Sequence, residues 1–395
     1  MPQSSMSARI FTIALLALAL GAPIILYPVF LMEALCFALF ACAFNLLIGY
    51  VGLLSFGHAA FFGSAAYITA HAVKVWGFPP ELGILAGLAV AAILGTIFGW
   101  LAIRRQGIYF AMITLALAQM VYFVALQAPF TGGEDGIQAV PRGRLFGVID
   151  LDDTLTMYYF VLAVFLIGFA LILRTINSPF GQVIKAIREN EPRAVSLGYH
   201  ADHYKLVVFI LSASLSGLAG SLKSLVFQLA SLTDVEWTMS GWVVLMTLVG
   251  GLGTVLGPVV GAFFLVAMQH YLAQLGSWVT VVQGVIFVVC VLVFRRGIVG
   301  TIAFYAKPPR DMSAGGKSSE GADRASNDAD VSSIPPIIPY GGAAPPPRRA
   351  GRREEILQET LGCVPSGQSW RFCCFAGSAA AAAPAPAPPT VILDP

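Results

Sequence analysis

Charge is scarce in this 395-residue chain: Lys, Arg, Asp and Glu make up 11% of it, against 57% hydrophobic residues. Soluble domains carry about 25% charged residues. The composition therefore excludes an ordinary soluble domain and indicates a polytopic, all-α membrane protein. Acidic groups are nearly missing from the apolar stretches. Glu33 falls at a loop between spans, and Asp234 and Glu236 fall beyond a helix end. Ion-coupled carriers usually use such groups or broken-helix carbonyl sites, so that class is disfavoured. There is no Walker A motif, no HExxH, no GxSxG and no CxxC. The chain cannot hydrolyse ATP by a P-loop, and no catalytic residue, metal ligand or cofactor is expected. The six cysteines have no metal-site spacing: Cys36, Cys42 and Cys290 lie in apolar runs, and Cys363, Cys373 and Cys374 near the end. No nucleic-acid partner is expected.

What is present is a series of apolar stretches of membrane-spanning length. They lie near residues 10–30, 32–50, 53–72, 82–103, 107–127, 156–173 and 206–229. A glycine-interrupted pair follows at 241–256 and 258–273, then a last stretch near 279–294. The apolar run after Arg9 continues to Phe30, so a retained span is read rather than a signal peptide. Arg9, Arg104, Arg105, Arg174, Lys185, Arg188, Arg193, Lys205, Arg295 and Arg296 belong in the cytoplasm by the positive-inside rule. The acidic 129–155 loop then falls outside. Parity requires 241–277 to cross an even number of times. Two short spans give about ten transmembrane helices, and a re-entrant hairpin gives eight; ten is favoured. Residues 1–306 read as the membrane domain. Residues 307–395, rich in Pro, Ala and Gly, cannot bury a core and read as a disordered cytoplasmic tail.

A charged segment stands between two spans, within a loop covering 174–205. Ser178 is a good N-cap, Pro179 suits the first helical position, and Pro192 is expected to stop the run. A short amphipathic helix outside the bilayer is predicted, a form that suits docking of a soluble partner.

Two motifs break the apolar sequence with glycine. One runs from Gly49 through Gly52, Ser55, Gly57 and His58 to Gly63. The other holds Gly250, Gly251, Gly253, Thr254, Gly257, Pro258 and Gly261. Paired interrupted segments in two halves point to internal repeats and a translocation path. Close helix packing explains them equally well. Asn45 reads as interhelical glue, His58 as a histidine bonded to a neighbouring carbonyl, and Lys223 as a snorkelling lysine. On 206–229, Ser212, Ser216 and Gly220, with Ala213, Gly217 and Ser221, form a small-residue face. That face suits a tight bundle or a subunit interface. Thr131, Gly132, Gly133 and Asp135 belong to a glycine-rich outer turn, with contact to an external partner as the functional alternative.

Several ordered motifs together resemble the LivM-type permease of branched-chain amino acid ABC importers, over roughly residues 30–300. They are the Asn45–Phe61 motif, Gly107-Ile108-Tyr109-Phe110-Ala111-Met112 with Thr114, and Thr131-Gly132-Gly133. Ser178-Pro179-Phe180-Gly181, Arg188-Glu189-Asn190-Glu191 and the Gly250–Ala262 motif complete the set. The resemblance implies a type II importer-like fold with two related halves, forming half of a pore in the bacterial cytoplasmic (inner) membrane. It implies a second, LivH-like permease, two ABC ATPase subunits and an extracytoplasmic solute-binding protein as partners. It also implies that residues 178–198 couple to the ATPase, through Ser178, Pro179, Phe180, Gly181, Lys185, Arg188, Glu189, Asn190, Glu191 and Gly198. Urea or short amides are alternative substrates, and an ion-coupled secondary transporter is the alternative class.

Overall fold

A computed structural model describes residues 20–23, 26–105, 107–145, 147, 149–272, 278–293 and 297–301. The stretch expected at 10–30 lies mostly outside these residues, and the tail 307–395 wholly so. The chain is all-helical where described, apart from a two-residue hairpin. The helices are α1 Pro28–Tyr50, α2 His58–Lys74, α3 Pro80–Ala102, α4 Ile108–Gln127 and α5 Thr154–Asn177. They continue as α6 Pro179–Glu189, α7 Glu191–Ser196, α8 Ala201–Phe227, α9 Trp237–Gly250, α10 Gly257–Leu272 and α11 Val279–Val293. The hairpin pairs β1 Arg144–Leu145 with β2 Ile149–Asp150 in the loop before α5.

Among the described residues, α1, α3, α4, α5 and α8 are long and apolar enough to cross a membrane. They differ in burial. The apolar window of α1 is 89% buried and that of α4 only 28%. A helix that is apolar all round belongs inside a bundle, and α1 sits there. α8 is the other central element, packed on α1, α2 and α3.

The small-residue face of α8 is spent inside this chain. Gly217 meets Ala91 of α3 and Ala65 of α2, and a Cβ at Gly220 would overlap the Phe62 carbonyl of α2. The Ser212 hydroxyl donates to the Ala43 carbonyl of α1 at 2.6 Å. Thr69 Oγ1 lies 2.8 Å from Ser221 Oγ and 3.0 Å from the Gly83 carbonyl oxygen. Lipid supplies no hydrophobic drive between helices, so close backbone approach and such bonds hold them. The face therefore serves a tight bundle rather than a subunit interface.

One expectation about spans changes. The stretch 53–72 is not one span. Residues 51–57 are non-helical, and α2 starts only at His58, beside Ser212 in the middle of α8. α2 thus begins inside the bundle. α9 and α10 have 14 and 16 residues, or about 21 and 24 Å at 1.5 Å per residue, short of a ~30 Å hydrocarbon core. Their connecting turn nevertheless reaches the end of α1, while the segment before α9 packs near the other end of α8. The hairpin runs along the bundle and returns, with Phe30 near the start of α1 facing His270 near the end of α10.

Lys223 does not snorkel. Its Nζ pairs with Asp234 Oδ1 and lies 5.9 Å from the centroids of the Phe62 and Phe227 rings. Asp234, expected beyond a helix end, is 1% exposed. The cause is the segment after α8. It folds back, bridges Ala230 to Ile137 and turns in a 3-10 helix at Leu232–Asp234. A lysine at membrane depth costs roughly 2.5–3.5 kcal/mol, and the carboxylate offsets that. Removing one partner of a buried pair costs about 3–5 kcal/mol, and removing both costs less. Asp234→Ala should therefore lower the unfolding temperature in detergent more than Lys223→Met with Asp234→Leu; equal losses would show that the pair is exposed to water.

Candidate functional site

The predicted docking helix is α6. Ser178 has extended backbone and its hydroxyl accepts from the Gly181 amide at 3.2 Å, while Pro179 fills the first turn. Gly181, Ile184 and Ile187 are buried, whereas Gln182, Ala186, Arg188 and Glu189 are exposed. Pro192 does not simply stop the run. The chain breaks at extended Asn190, whose side-chain oxygen accepts from the Arg193 amide at 3.1 Å. Pro192 then occupies the first turn of α7, where its missing N–H leaves no bond unmade. Phe180 stacks on Tyr204, Glu191 pairs with buried Lys205 at 2.5 Å, and Gly198 turns the chain into α8 with φ +91°. A Cβ on Gly181 would overlap the Thr175 and Ile176 carbonyls, so this glycine faces α5 rather than solvent. The exposed apolar side chains here are Val195, Leu197 and Tyr199. Sequence reasoning missed them; their signal was apolar residues in a charged loop.

The two glycine motifs solve one problem twice. Each is a non-helical passage between helices, with glycines at positive φ: Gly52 (+83°) in the first, Gly251 (+118°) and Gly253 (+72°) in the second. Each passage ends with a glycine amide capped by a hydroxyl. Gly57 N donates to Ser55 Oγ at 3.2 Å, and Gly257 N to Thr254 Oγ1 at 3.1 Å. Other groups complete the first passage. Phe56 N donates to Thr114 Oγ1 of α4 at 3.2 Å, and Ala59 N to Ser240 Oγ of α9 at 2.9 Å. Ser240 was not singled out from sequence; an isolated serine in an apolar helix carries no distinctive signal. In the second passage a Cβ on Gly250 or Gly261 would overlap backbone of Gly257 or Met246, and Pro258 lies in the first turn of α10.

His58 is fully buried, with Phe44, Phe61 and Phe209 at the edges of its ring. Its Nε2 lies 2.9 Å from Ser212 Oγ. The Ser212 hydroxyl also lies 2.6 Å from the Ala43 carbonyl oxygen, so Ser212 links the histidine to α1. The ring thus meets the Ser212 hydroxyl as well as the backbone of neighbouring Ser55. This surrounding is a packed core, and His58 lines no open path here.

Asn45 spans from α1 to the second passage. Its Nδ2 donates to the Thr254 carbonyl at 2.9 Å, and its Oδ1 accepts from the Gly253 amide at 3.0 Å. Beside it, Arg188 Nη1 donates to the Gly49 carbonyl, and Lys185 Nζ lies 5.7 Å from the Tyr50 ring centroid. A cavity of about 630 Å³ opens here between Gly49, Ile176, Lys185, Arg188, Gly253 and Val255. The structure thus joins Asn45, Gly49, Gly52, Gly253, Thr254 and Arg188. It keeps His58, Ser55, Gly57 and Thr114 deeper, and the outer-loop residues at the opposite end.

That outer loop is a built element. Thr131 is buried, its hydroxyl 2.5 and 2.6 Å from the Ala125 and Ala128 carbonyl oxygens. Gly132 has φ +78°, and a Cβ on Gly136 would overlap the Ala230 carbonyl. Glu134 and Asp135 are exposed. Asp153 caps α5, and hydrogen bonds from Thr156 hold its carboxyl below the ordinary range. A Cβ on Gly257 would lie 2.7 Å from the Gly251 carbonyl oxygen, whereas one on Gly57 would sit 3.2 Å from its nearest neighbour. Overpacking costs about 1–3 kcal/mol. Gly257→Ala should therefore lower the unfolding temperature more than Gly57→Ala, and Leu at either position should reduce folded yield and transport. Wild-type behaviour of both Leu variants would refute the close-approach argument.

Residues 28–291 match the family model described as branched-chain amino acid transport system / permease component. The high-affinity branched-chain amino acid transport system permease protein LivM of Escherichia coli (strain K12) is 24% identical over 75% of this chain and 76% of its own. Its Salmonella typhimurium counterpart is 25% identical over the same shares. The ribose import permease protein RbsC of Bacillus subtilis is 28% identical over 56% of this chain and 70% of its own. No solved structure matches the chain. A match covering residues 28–291, carried by an all-helical bundle with full-length apolar helices, identifies a transport permease component and not an enzyme: this chain belongs to the branched-chain amino acid transport system permease family.

Proposed function

We propose that this chain is the membrane-spanning permease subunit of an ATP-driven importer, forming half of its pore and carrying branched-chain amino acids. The observation that carries this reading is α6. It is an N-capped, strongly amphipathic helix displayed between two spans, next to both glycine passages. The chain has no P-loop of its own. Energy then comes from two separate ABC ATPases docked on the outward side of α6 and on Val195, Leu197 and Tyr199. ATP binding and hydrolysis alternate the pore between outward and inward access. The lysines and arginines of this loop support a cytoplasmic α6 in a bacterial inner-membrane protein, by the positive-inside rule, and a cytoplasmic N-terminus and tail are part of the same proposal. The turn with Thr131, Gly132, Gly133 and Asp135 then faces a solute-binding protein outside.

A second permease completes the pore. A probable branched-chain amino acid transport permease protein LivH of Methanocaldococcus jannaschii is 25% identical over 62% of this chain, which supports a related partner. The substrate reading rests on coverage. The two LivM relatives span 75% of the chain and the ribose permease 56%. Urea and short amides remain the alternatives within such importers.

The test is purification of the tagged chain from native membranes, then reconstitution of the recovered complex in liposomes. A P-loop ATPase and a second permease should come with it. Uptake of labelled leucine, isoleucine and valine should require ATP and the binding protein. A chain that purifies alone and drives uptake from an ion gradient without ATP would overturn the reading in favour of a secondary carrier.

A further inference from the structure

We infer that Arg188 is a positioning residue that carries movement of α6 to both glycine passages, acting inward rather than as a docking contact. This rests on the permease reading above and adds the atom through which α6 works. A docking residue would send its guanidinium away from the bundle. Arg188 is exposed on α6, yet it turns one edge of its guanidinium back toward the bundle: Nη1 donates to the Gly49 carbonyl, in the last turn of α1. Carbonyls there have no intrahelical partner, and one of them takes this bond.

The sequence makes room for the side chain on two sides. A Cβ at Gly52 would stand 3.3 Å from Arg188 Cγ, and one at Gly253 would stand 3.6 Å from Nη1. Gly52 therefore serves two needs, positive φ and close passage of Arg188, whereas Gly253 serves positive φ and close approach to the Gly49 carbonyl oxygen, with Arg188 in ordinary contact. The helices α1, α6 and α9 all end around this point, at Tyr50, Glu189 and Gly250. Helix C-termini carry partial negative charge, which favours a cation that never deprotonates. One N–H of the guanidinium is spent on Gly49; four remain in the same planar fork.

The linkage continues beyond Arg188. Asn45, one turn before Gly49, holds the Gly253 amide and the Thr254 carbonyl. Thr254 in turn caps the first amide of α10. α6, the end of α1 and the start of α10 are thus joined by side-chain bonds across 139 and 209 residues of sequence separation. A shift of α6 cannot occur without moving the Gly49 carbonyl or breaking its bond.

The test uses the complete importer, with its ATPases and binding protein, in liposomes. ATP hydrolysis and substrate uptake are measured on the same preparation for wild type, Arg188→Ala and Arg188→Lys. Arg188→Ala should retain its ATPases through purification and hydrolyse ATP within about twofold of wild type. Its substrate transported per ATP should fall at least about tenfold, a shift on the order of 1.4 kcal/mol or more in coupling. Arg188→Lys, which keeps the charge and one donor, should recover part of the ratio. Loss of bound ATPase in Arg188→Ala would make Arg188 a docking residue and overturn the inference. Hydrolysis and uptake falling together, with the ratio unchanged, would make it a structural anchor and overturn it as well. If the wild-type complex itself shows no ATP-driven uptake, the permease reading fails first.

Discussion

Backbone amides and carbonyls released where a helix stops inside a membrane must find partners within the protein, because lipid offers none. This chain starts α2 inside its bundle after the non-helical residues 51–57, and it turns α9 into α10 through residues 251–256 beside the end of α1. The surrounding polar side chains are arranged around that need. Ser55, Thr114 and Ser240 serve the first passage, and Asn45 and Thr254 the second. Arg188 closes the end of α1. Most of the polar residues buried in the interior therefore answer a backbone group, and few are left for other tasks.

Packing follows from the same scarcity of drive. Apolar side chains gain little by leaving lipid for protein, so α8 approaches its neighbours through Gly217 and Gly220 until backbones touch. Charge is handled in pairs. Lys223 has Asp234, and Lys205 has Glu191. The pairs sit toward opposite ends of α8 and tie the segments that flank it. One fixes the fold-back that leads into α9, the other the loop that carries α6.

Much of this was legible in the sequence, and the misses have physical causes. Length and apolarity located α1, α3, α4, α5 and α8 within a few residues, because a full-length span must be apolar whatever its neighbours. The caps at Ser178 and Pro179 were legible because they are local. Pro192 was misjudged because a proline that ends one helix can equally begin the next, and Asn190 decided between them. Lys223 was misjudged because its partner lies eleven residues on, in a segment whose fold-back depends on Ile137. The α2 boundary was misjudged because apolar loop and apolar helix look alike in composition. Ser240 escaped notice altogether, since its role exists only opposite Ala59.

The sequence by itself determined a membrane-embedded helical chain with no catalytic equipment, two glycine-interrupted passages and a capped amphipathic helix between spans. Those are consequences of composition, period and local hydrogen bonding, which act over one or two helical turns. Only the tertiary structure decided which way the pieces face. It turned Gly181 inward, bent one edge of the exposed Arg188 guanidinium back to the bundle, closed His58 in an aromatic core, and spent the α8 face within the chain. It also brought Asn45 to Gly253 and Arg188 to Gly49. Such pairings depend on where whole helices cross, and residue spacing along the chain does not contain that distance.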